Sequence, residues 1–327
     1  MSKTPLWLPD DLVLLDGRCP LPRDRPFTRA EAAAWGVSRH FLRVLQARGL
    51  IRPLVRGTYG VAQLRDTIES RAAALRMVVP ESAVVTDRTA AWLHGIDVLP
   101  RSAAHDPTPL DVFSSDESRL RRPGISSGIR MLRPCDVSVV HGVAVTTPLR
   151  TATDLGRLLR RYDAIGALDA FLHAGVPREQ LLAELPRFKG FRGVVQLREL
   201  AAFADPRPES MPESALRLHG SDAGIPDLEP QYWVCDEWGN GVFRVDLAQV
   251  ELRYIAEYQG ERFHKGEENE SRDEGRIEWL ADRDWLLDEF WKDDVYAPHA
   301  DPSARLRAGV RRARERFGAW KPQGKFL

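Results

Sequence analysis

Two carboxylates stand in a stretch that otherwise reads as paired β-strands, "VDLAQVELRYIAEYQG", residues 245–260. Strand side chains alternate faces with period two. Asp246 therefore shares a face with Arg244 and Ala248, and Glu257 with Ile255 and Gln259. The link "AQVELR" is short, so the strands are expected to pair antiparallel, bringing Asp246 and Glu257 together on one face. Neighbouring carboxylates repel, and each raises the other's pKa. Burying them costs free energy unless they are paired or metal-bound. A divalent cation removes both penalties, and Mg²⁺ (or Mn²⁺) prefers one or two carboxylates with waters and phosphate oxygens. Such an ion polarises a phosphodiester and lowers the pKa of bound water, which supplies the attacking hydroxide. The spacing thus suits phosphodiester hydrolysis. It suits equally a hairpin with an exposed polar face, in which Arg244 or Arg253 neutralises Asp246.

A second set of residues has the opposite charge. From Ser38 to Gly60 there are five arginines (Arg39, Arg43, Arg48, Arg52, Arg56) and no acid. The elements that would carry them are legible. In "FTRAEAAAWGVSRHFLRVLQARGLIRPLVRGTYGVA", residues 27–62, Thr28 and Glu31 form a capping-box pattern that starts a short helix, and Gly36 breaks it. Ser38 caps a second helix with Phe41, Leu42 and Leu45 near helical spacing, ended by Gly49. Two strands with a turn at Arg56-Gly57 follow. Helix, turn, helix, hairpin is the order of a winged helix-turn-helix. Its recognition helix needs cations and donors near the N-terminal half to meet phosphates and base edges. Arg39, His40 and Arg43 stand there, with Arg48 further along and Arg56 at the wing tip. Double-stranded DNA is the expected partner; a solvated basic face on a protein-binding helical domain is the alternative.

The rest of the chain frames these sets. Its 327 residues suit two or three domains. Expected are a leader (1–24), the winged helix-turn-helix (25–62), a middle α+β domain (63–205) and a C-terminal α/β domain (206–327) ending in a basic helix. The middle domain should hold a helix at "TAAWLHGI", strands at "PLDVFS", "IRMLR" and "VSVVHGVAVTT", an amphipathic helix over 151–174, and helices near 178–185 and 191–203. The Pro/Ser/acid-rich "FADPRPESMPES" reads as a linker. No apolar run nears the ~18 residues that span a membrane, and the first residues make a poor signal peptide. Three widely separated cysteines form neither a disulfide framework nor a zinc pattern, so a cytoplasmic setting is expected. Net charge is zero but unevenly spread. Residues 1–208 hold 30 Lys+Arg and 22 Asp+Glu, whereas residues 209–296 hold 9 and 23. That acidic surface would repel a polyanion.

Residues 213–296 resemble the very-short-patch-repair-like endonuclease branch of the PD-(D/E)XK superfamily. The resemblance is carried by Glu213, "VDLA" with Asp246, "EYQG" with Glu257 and Gln259, "ERFHKG" with His264, "RDEGR" with Asp273 and Arg276, and "DWLLDEFWKDDV". It implies a restriction-endonuclease-like α/β fold and Mg²⁺-dependent cleavage of DNA, in phage defence or repair. Asp246 and Glu257 would hold the metal, Glu213 would orient a metal-bound water, and His264 would assist proton transfer. Gln259 would stand where the superfamily commonly has lysine, and it can neither carry charge nor take a proton. Read from spacing alone, Glu213 is a capping-box glutamate after Ser210, and Asp273 with Arg276 an i,i+3 ion pair. Residues 25–205 resemble AbiEi-type antitoxins and transcriptional regulators of type IV toxin–antitoxin systems, on the winged-helix stretch, "TAAWLHGI", "VTTPLRTATDLG" and "LDAFLHAGV". That implies sequence-specific DNA binding and a cognate toxin. The alternative to an enzyme is thus a regulator whose nuclease-like domain is inactive and serves as a homodimer or partner contact.

Overall fold

The computed structural model describes residues 5–98, 108–114, 125–260 and 267–317, the side chains of 267–273 and 317 excepted. Thr28 caps the first helix as its sequence dictates. Its hydroxyl accepts from the Glu31 N–H at 3.2 Å, and Glu31 accepts from the Thr28 N–H at 2.8 Å. Strand β1 (Phe27–Thr28) leads into α1 (Arg29–Ala34), then α2 (Arg39–Ala47), β2 (Ile51–Pro53) and β3 (Thr58–Val61). The strands form an antiparallel sheet in the order β1-β3-β2. The β2–β3 turn needs Gly57, whose φ of 99° lies in the left-handed region.

Packing divides the chain into two compact units, Met1–Leu155 and Gly156–Leu327. The first also contains α3 (Ile68–Arg76), β4 (Ala83–Val85), α4 (Asp87–Leu93), β5 (Leu110–Ser114), β6 (Ile125–Ile129), β7 (Val137–Val140) and β8 (Val143–Thr146). Their five strands form a mixed sheet in the order β6-β5-β4-β8-β7. One apolar cluster runs from Leu8 and Phe27 through Leu45 and Val61 to Val85, Val112 and Val145. The three-stranded sheet with α1 and α2 therefore shares a core with the five-stranded sheet, so the packing does not divide at residue 62. The expected strand "IRMLR" lies a few residues earlier, at β6, where its pairing with β5 is fixed by Leu110 opposite Ile125.

The division falls inside α5 (Pro148–Leu158). The single helix expected over 151–174 is instead two, α5 and α6 (Arg161–His173), broken at Leu159 and Arg160. The carbonyls freed at the break, of Gly156 and Leu159, both accept from the Gln196 side-chain amide, at 2.9 and 3.0 Å. A partner 37 residues away thus stabilises a break that local periodicity does not signal.

The second unit continues with α7 (Arg178–Glu184), α8 (Val194–Phe203) and α9 (Met211–Asp222). Strands β9 (Leu228–Cys235), β10 (Gly241–Gln249) and β11 (Tyr254–Tyr258) follow, then α10 (Glu267–Ala281), β12 (Leu286–Phe290), α11 (Lys292–Tyr296) and α12 (Pro302–Phe317). The sheet order is β12-β11-β10-β9, with β11 and β12 parallel and the other pairs antiparallel. Tyr254, Ala256 and Leu247 pack with α9 and α12 residues on one face; Ile255 and Ala248 pack with Leu280 of α10 on the other. The linker-like stretch lies within this unit and is tied down. The Asp205 N–H donates to Asp169 at 2.8 Å, and Arg217 bridges Asp169 and the Phe203 carbonyl at 3.0 and 3.1 Å.

Candidate functional site

Helix α2 presents two unlike faces. Leu42 and Leu45 are buried, while Arg39, His40, Arg43 and Gln46 are exposed. Residues 39, 43 and 46 follow the i, i+4, i+7 spacing of one helical face. The Ser38 hydroxyl caps the helix by accepting from the Phe41 N–H at 3.4 Å. Arg56 is exposed at the β2–β3 turn. None of Arg39, Arg43 or Arg56 has an acidic partner among the described residues. Arg48 differs from this group. Its Nη2 donates to the carbonyls of Pro9, Asp10 and Leu12 at 2.8–3.2 Å, fastening the N-terminal segment to the end of α2. Arg52 donates to the Leu64 carbonyl at 3.1 Å.

The expected carboxylates lie near one another in the second unit: Leu247 pairs with Ala256 beside them, and the charges of Glu213 and Glu257 both act on Asp246. Asp246 Oδ2 accepts from the Tyr258 N–H at 2.8 Å. Arg244 and Arg253, the alternative partners for Asp246, bind Glu209 at 2.7 Å and Asp284 at 3.2 Å instead. Glu213 is buried at the start of α9; its N–H donates to the Ser210 hydroxyl at 3.4 Å, but its carboxylate takes the Glu209 N–H and not the Ser210 N–H that a capping box requires. It accepts from the Ser210 hydroxyl at 2.6 Å, from the Glu209 N–H at 3.0 Å, and from the Gln231 amide at 2.7 Å. Burial first, and then the negative charge of Glu213, push the Asp246 carboxyl up to about 7; the Tyr258 N–H opposes, and Glu257 adds to the rise.

Two contacts of this cluster escape a reading of the sequence. Gln231 sits on β9 with φ 54°, a left-handed conformation that costs a non-glycine residue free energy, and its amide reaches Glu213. Arg276 of α10 places Nη2 on Glu257 Oε1, with its guanidinium 5.6 Å from the Phe243 ring centroid. The i+3 spacing to Asp273 concealed this contact; the Asp273 side chain, His264 and Lys265 lie outside the described residues. Gln259 turns to Glu289, donating at 2.9 Å.

The donors do not fit a divalent cation as arranged. Glu257 already carries a guanidinium, Glu213 is occupied by three donors, and one oxygen of Asp246 is taken by a backbone N–H. Among the described residues, no group of three or more His, Cys, Asp and Glu side chains is set to hold a metal ion. Nor, among them, is any helix long and apolar enough to cross a membrane.

A second buried charge cluster lies in the first unit. Arg130 grips Asp87 with two nitrogens at 2.7 and 2.8 Å and reaches Asp154 at 3.1 Å. Arg150 donates to Asp154 at 3.0 Å, to Asp136 at 2.7 Å and to the Met131 carbonyl at 3.2 Å. Here each buried carboxylate meets a guanidinium in good geometry. Nothing in the spacing of these five residues announces the cluster, because it joins the ends of β6 and β7 with α4 and α5 across 67 positions of sequence.

Comparison with known proteins places these features. A model of the AbiEi antitoxin C-terminal domain matches residues 82–203, from β4 to α8. The endonuclease resemblance of residues 213–296 stands outside that match. Two Mycobacterium tuberculosis sequences titled uncharacterized proteins, Rv2248 of strain H37Rv and MT2308 of strain CDC 1551 / Oshkosh, are each 34% identical over 264 residues. The alignment covers 80% of this chain and 94% of either relative. The chain belongs to the family of these mycobacterial proteins and carries an AbiEi antitoxin C-terminal domain.

Proposed function

We propose that the chain is a DNA-binding regulator of the antitoxin type, whose helix-turn-helix module contacts duplex DNA and whose antitoxin domain serves a cognate toxin. The observation that carries this reading is the exposed face of α2 and the neighbouring turn. Arg39, Arg43 and Arg56 stand in solvent without acidic partners among the described residues, which is where cations must stand to meet phosphates. The antitoxin-domain match supports the regulatory role. Titration of a labelled duplex from the chain's own upstream region tests it. Arg39→Ala with Arg43→Ala should weaken binding and lower the salt slope by up to about 2, at about 0.9 per lost phosphate contact. Unchanged affinity and slope would sink the reading.

A metal-dependent DNA endonuclease is the second reading, favoured by the gathering of Glu213, Asp246 and Glu257. It requires Glu257 to exchange its guanidinium for Mg²⁺ or Mn²⁺. Plasmid cleavage that Asp246→Ala and Glu257→Ala both abolish would establish it.

A further inference from the structure

We propose that the basic patch beside the α5–α6 break and the acidic face of α10 are the two halves of one contact, made between two copies of this chain. The inference is independent of both the DNA-binding and the endonuclease readings.

The basic half belongs to the second unit. Arg160 at the break, Lys189 and Arg192 in the turn before α8, and Arg198 on α8 are all exposed. Long-range contacts gather their segments onto one surface. The Gln196 amide of α8 reaches the Gly156 and Leu159 carbonyls, and Arg157 donates to the Arg192 carbonyl at 3.3 Å. None of the four cations has an acidic partner among the described residues. Glu199 and Glu184 bind Arg161 at 2.7 Å and Arg187 at 3.1 Å instead. Leu158, Phe191 and Val195 stand in the same segments, 37%, 36% and 76% exposed.

The acidic half is on α10. Glu274, Ile277, Glu278 and Ala281 follow the i, i+3, i+4, i+7 spacing of one helical face, and all four are exposed, Ile277 at 44%. Leu280 points the other way, into the core against the sheet. Neither Glu274 nor Glu278 has a basic partner among the described residues.

Each half has what the other lacks. Crowded like charges repel, and a face of opposite sign relieves that repulsion. Each half also exposes aliphatic side chains, whose removal from water favours association. Arginine and aromatic residues beside aliphatic ones are the composition of a protein–protein interface. A polyanion would meet the four cations but would leave Leu158 and Val195 in water. Among the described residues, no ion pair joins the two halves within one chain. A two-fold pair of copies makes the contact twice, because each copy supplies both halves.

Sedimentation velocity of the full-length chain without DNA tests the proposal. Wild type should associate at micromolar concentration in about 50 mM NaCl and dissociate towards monomer in about 500 mM, where charges are screened within a few ångströms. Arg192→Glu with Arg198→Glu should be monomeric in low salt, and so should Glu274→Arg with Glu278→Arg. An equimolar mixture of these two variants should associate again, since each reversed half meets its opposite on the other variant. Should a reversed variant fail to fold, Val195→Asp at its exposed position should weaken self-association about tenfold or more. A wild type that stays monomeric in low salt would overturn the proposal. Association that ignores salt and both reversals would overturn it too, as would a mixture that stays monomeric. Loss of duplex affinity on reversing Arg192 and Arg198, with sedimentation unchanged, would give the patch to a polyanion and overturn it likewise. Failure of self-association leaves the duplex titration of Arg39 and Arg43 untouched, so the two readings fail separately.

Discussion

On α2 and the β2–β3 turn, Arg39, Arg43 and Arg56 are exposed with no acidic partner among the described residues, whereas the charges of the C-terminal sheet are engaged with one another. The basic C-terminal helix α12 is partly engaged as well. Arg312 binds Asp288 at 2.5 and 2.7 Å, and Arg305 contacts Asp294 and donates to the Glu289 carbonyl at 2.8 Å. Exposed unpaired charges contribute little to stability and are available to a ligand. Buried paired charges are costly to separate and are not. The contrast is what the proposed polyanion binding by the first region rests on, while the charges of the second serve internal cohesion.

The contrast can be broken where the effect is largest. Asp169 and Arg217 are 1% and 6% exposed and bind each other in the second unit. Asp169→Ala would leave the Arg217 guanidinium buried without its carboxylate, and should cost about 3–5 kcal/mol in urea melts. A loss below about 1 kcal/mol would place this pair with the exposed ones.

Asp246 sharpens the comparison by a smaller amount, through its sign. Its folded value of about 7 lies above the ordinary 3.8, so the fold prefers the protonated carboxyl. That contribution to stability is fully present below about pH 4 and is lost as pH rises through about 7. Asp246→Asn, which mimics the protonated form, should be clearly more stable than wild type at pH 8 and equal to it near pH 4. A variant less stable than wild type at pH 8 would mean that the ionised carboxylate is itself a structural anchor.

The smallest effect belongs to the cap of α1. Thr28→Ala removes the hydroxyl that accepts from the Glu31 N–H and donates to its carboxylate, leaves the backbone N–H bond to Glu31 in place, and should cost about 1 kcal/mol, read as a modest drop in Tm.

Much of the architecture was legible because its signals are local. The Thr28–Glu31 box, the Ser38 cap, the Gly57 turn and the alternation through β10 and β11 each depend on residues a few positions apart. What escaped depends on distant partners. Gln196 closes the break between α5 and α6, Gln231 reaches Glu213 through a strained backbone, and Arg276 crosses from α10 to β11. Arg48 shows the same limit from the other side. Its charge matched its neighbours on the helix, yet it serves the carbonyls of a segment more than thirty residues earlier. Spacing brought Asp246 and Glu257 together but could not show that a guanidinium already stood beside Glu257.

Titration of one fluorescent duplex at two salt concentrations, in the presence of Mg²⁺, tests the central contrast most directly when run on two variants side by side. The account predicts that Arg39→Ala with Arg43→Ala loses affinity and salt dependence. It also predicts that Asp246→Asn with Glu257→Gln binds like wild type and leaves the duplex intact, as wild type does. Full affinity in the arginine variant, with binding or cleavage lost in the carboxylate variant, would contradict it.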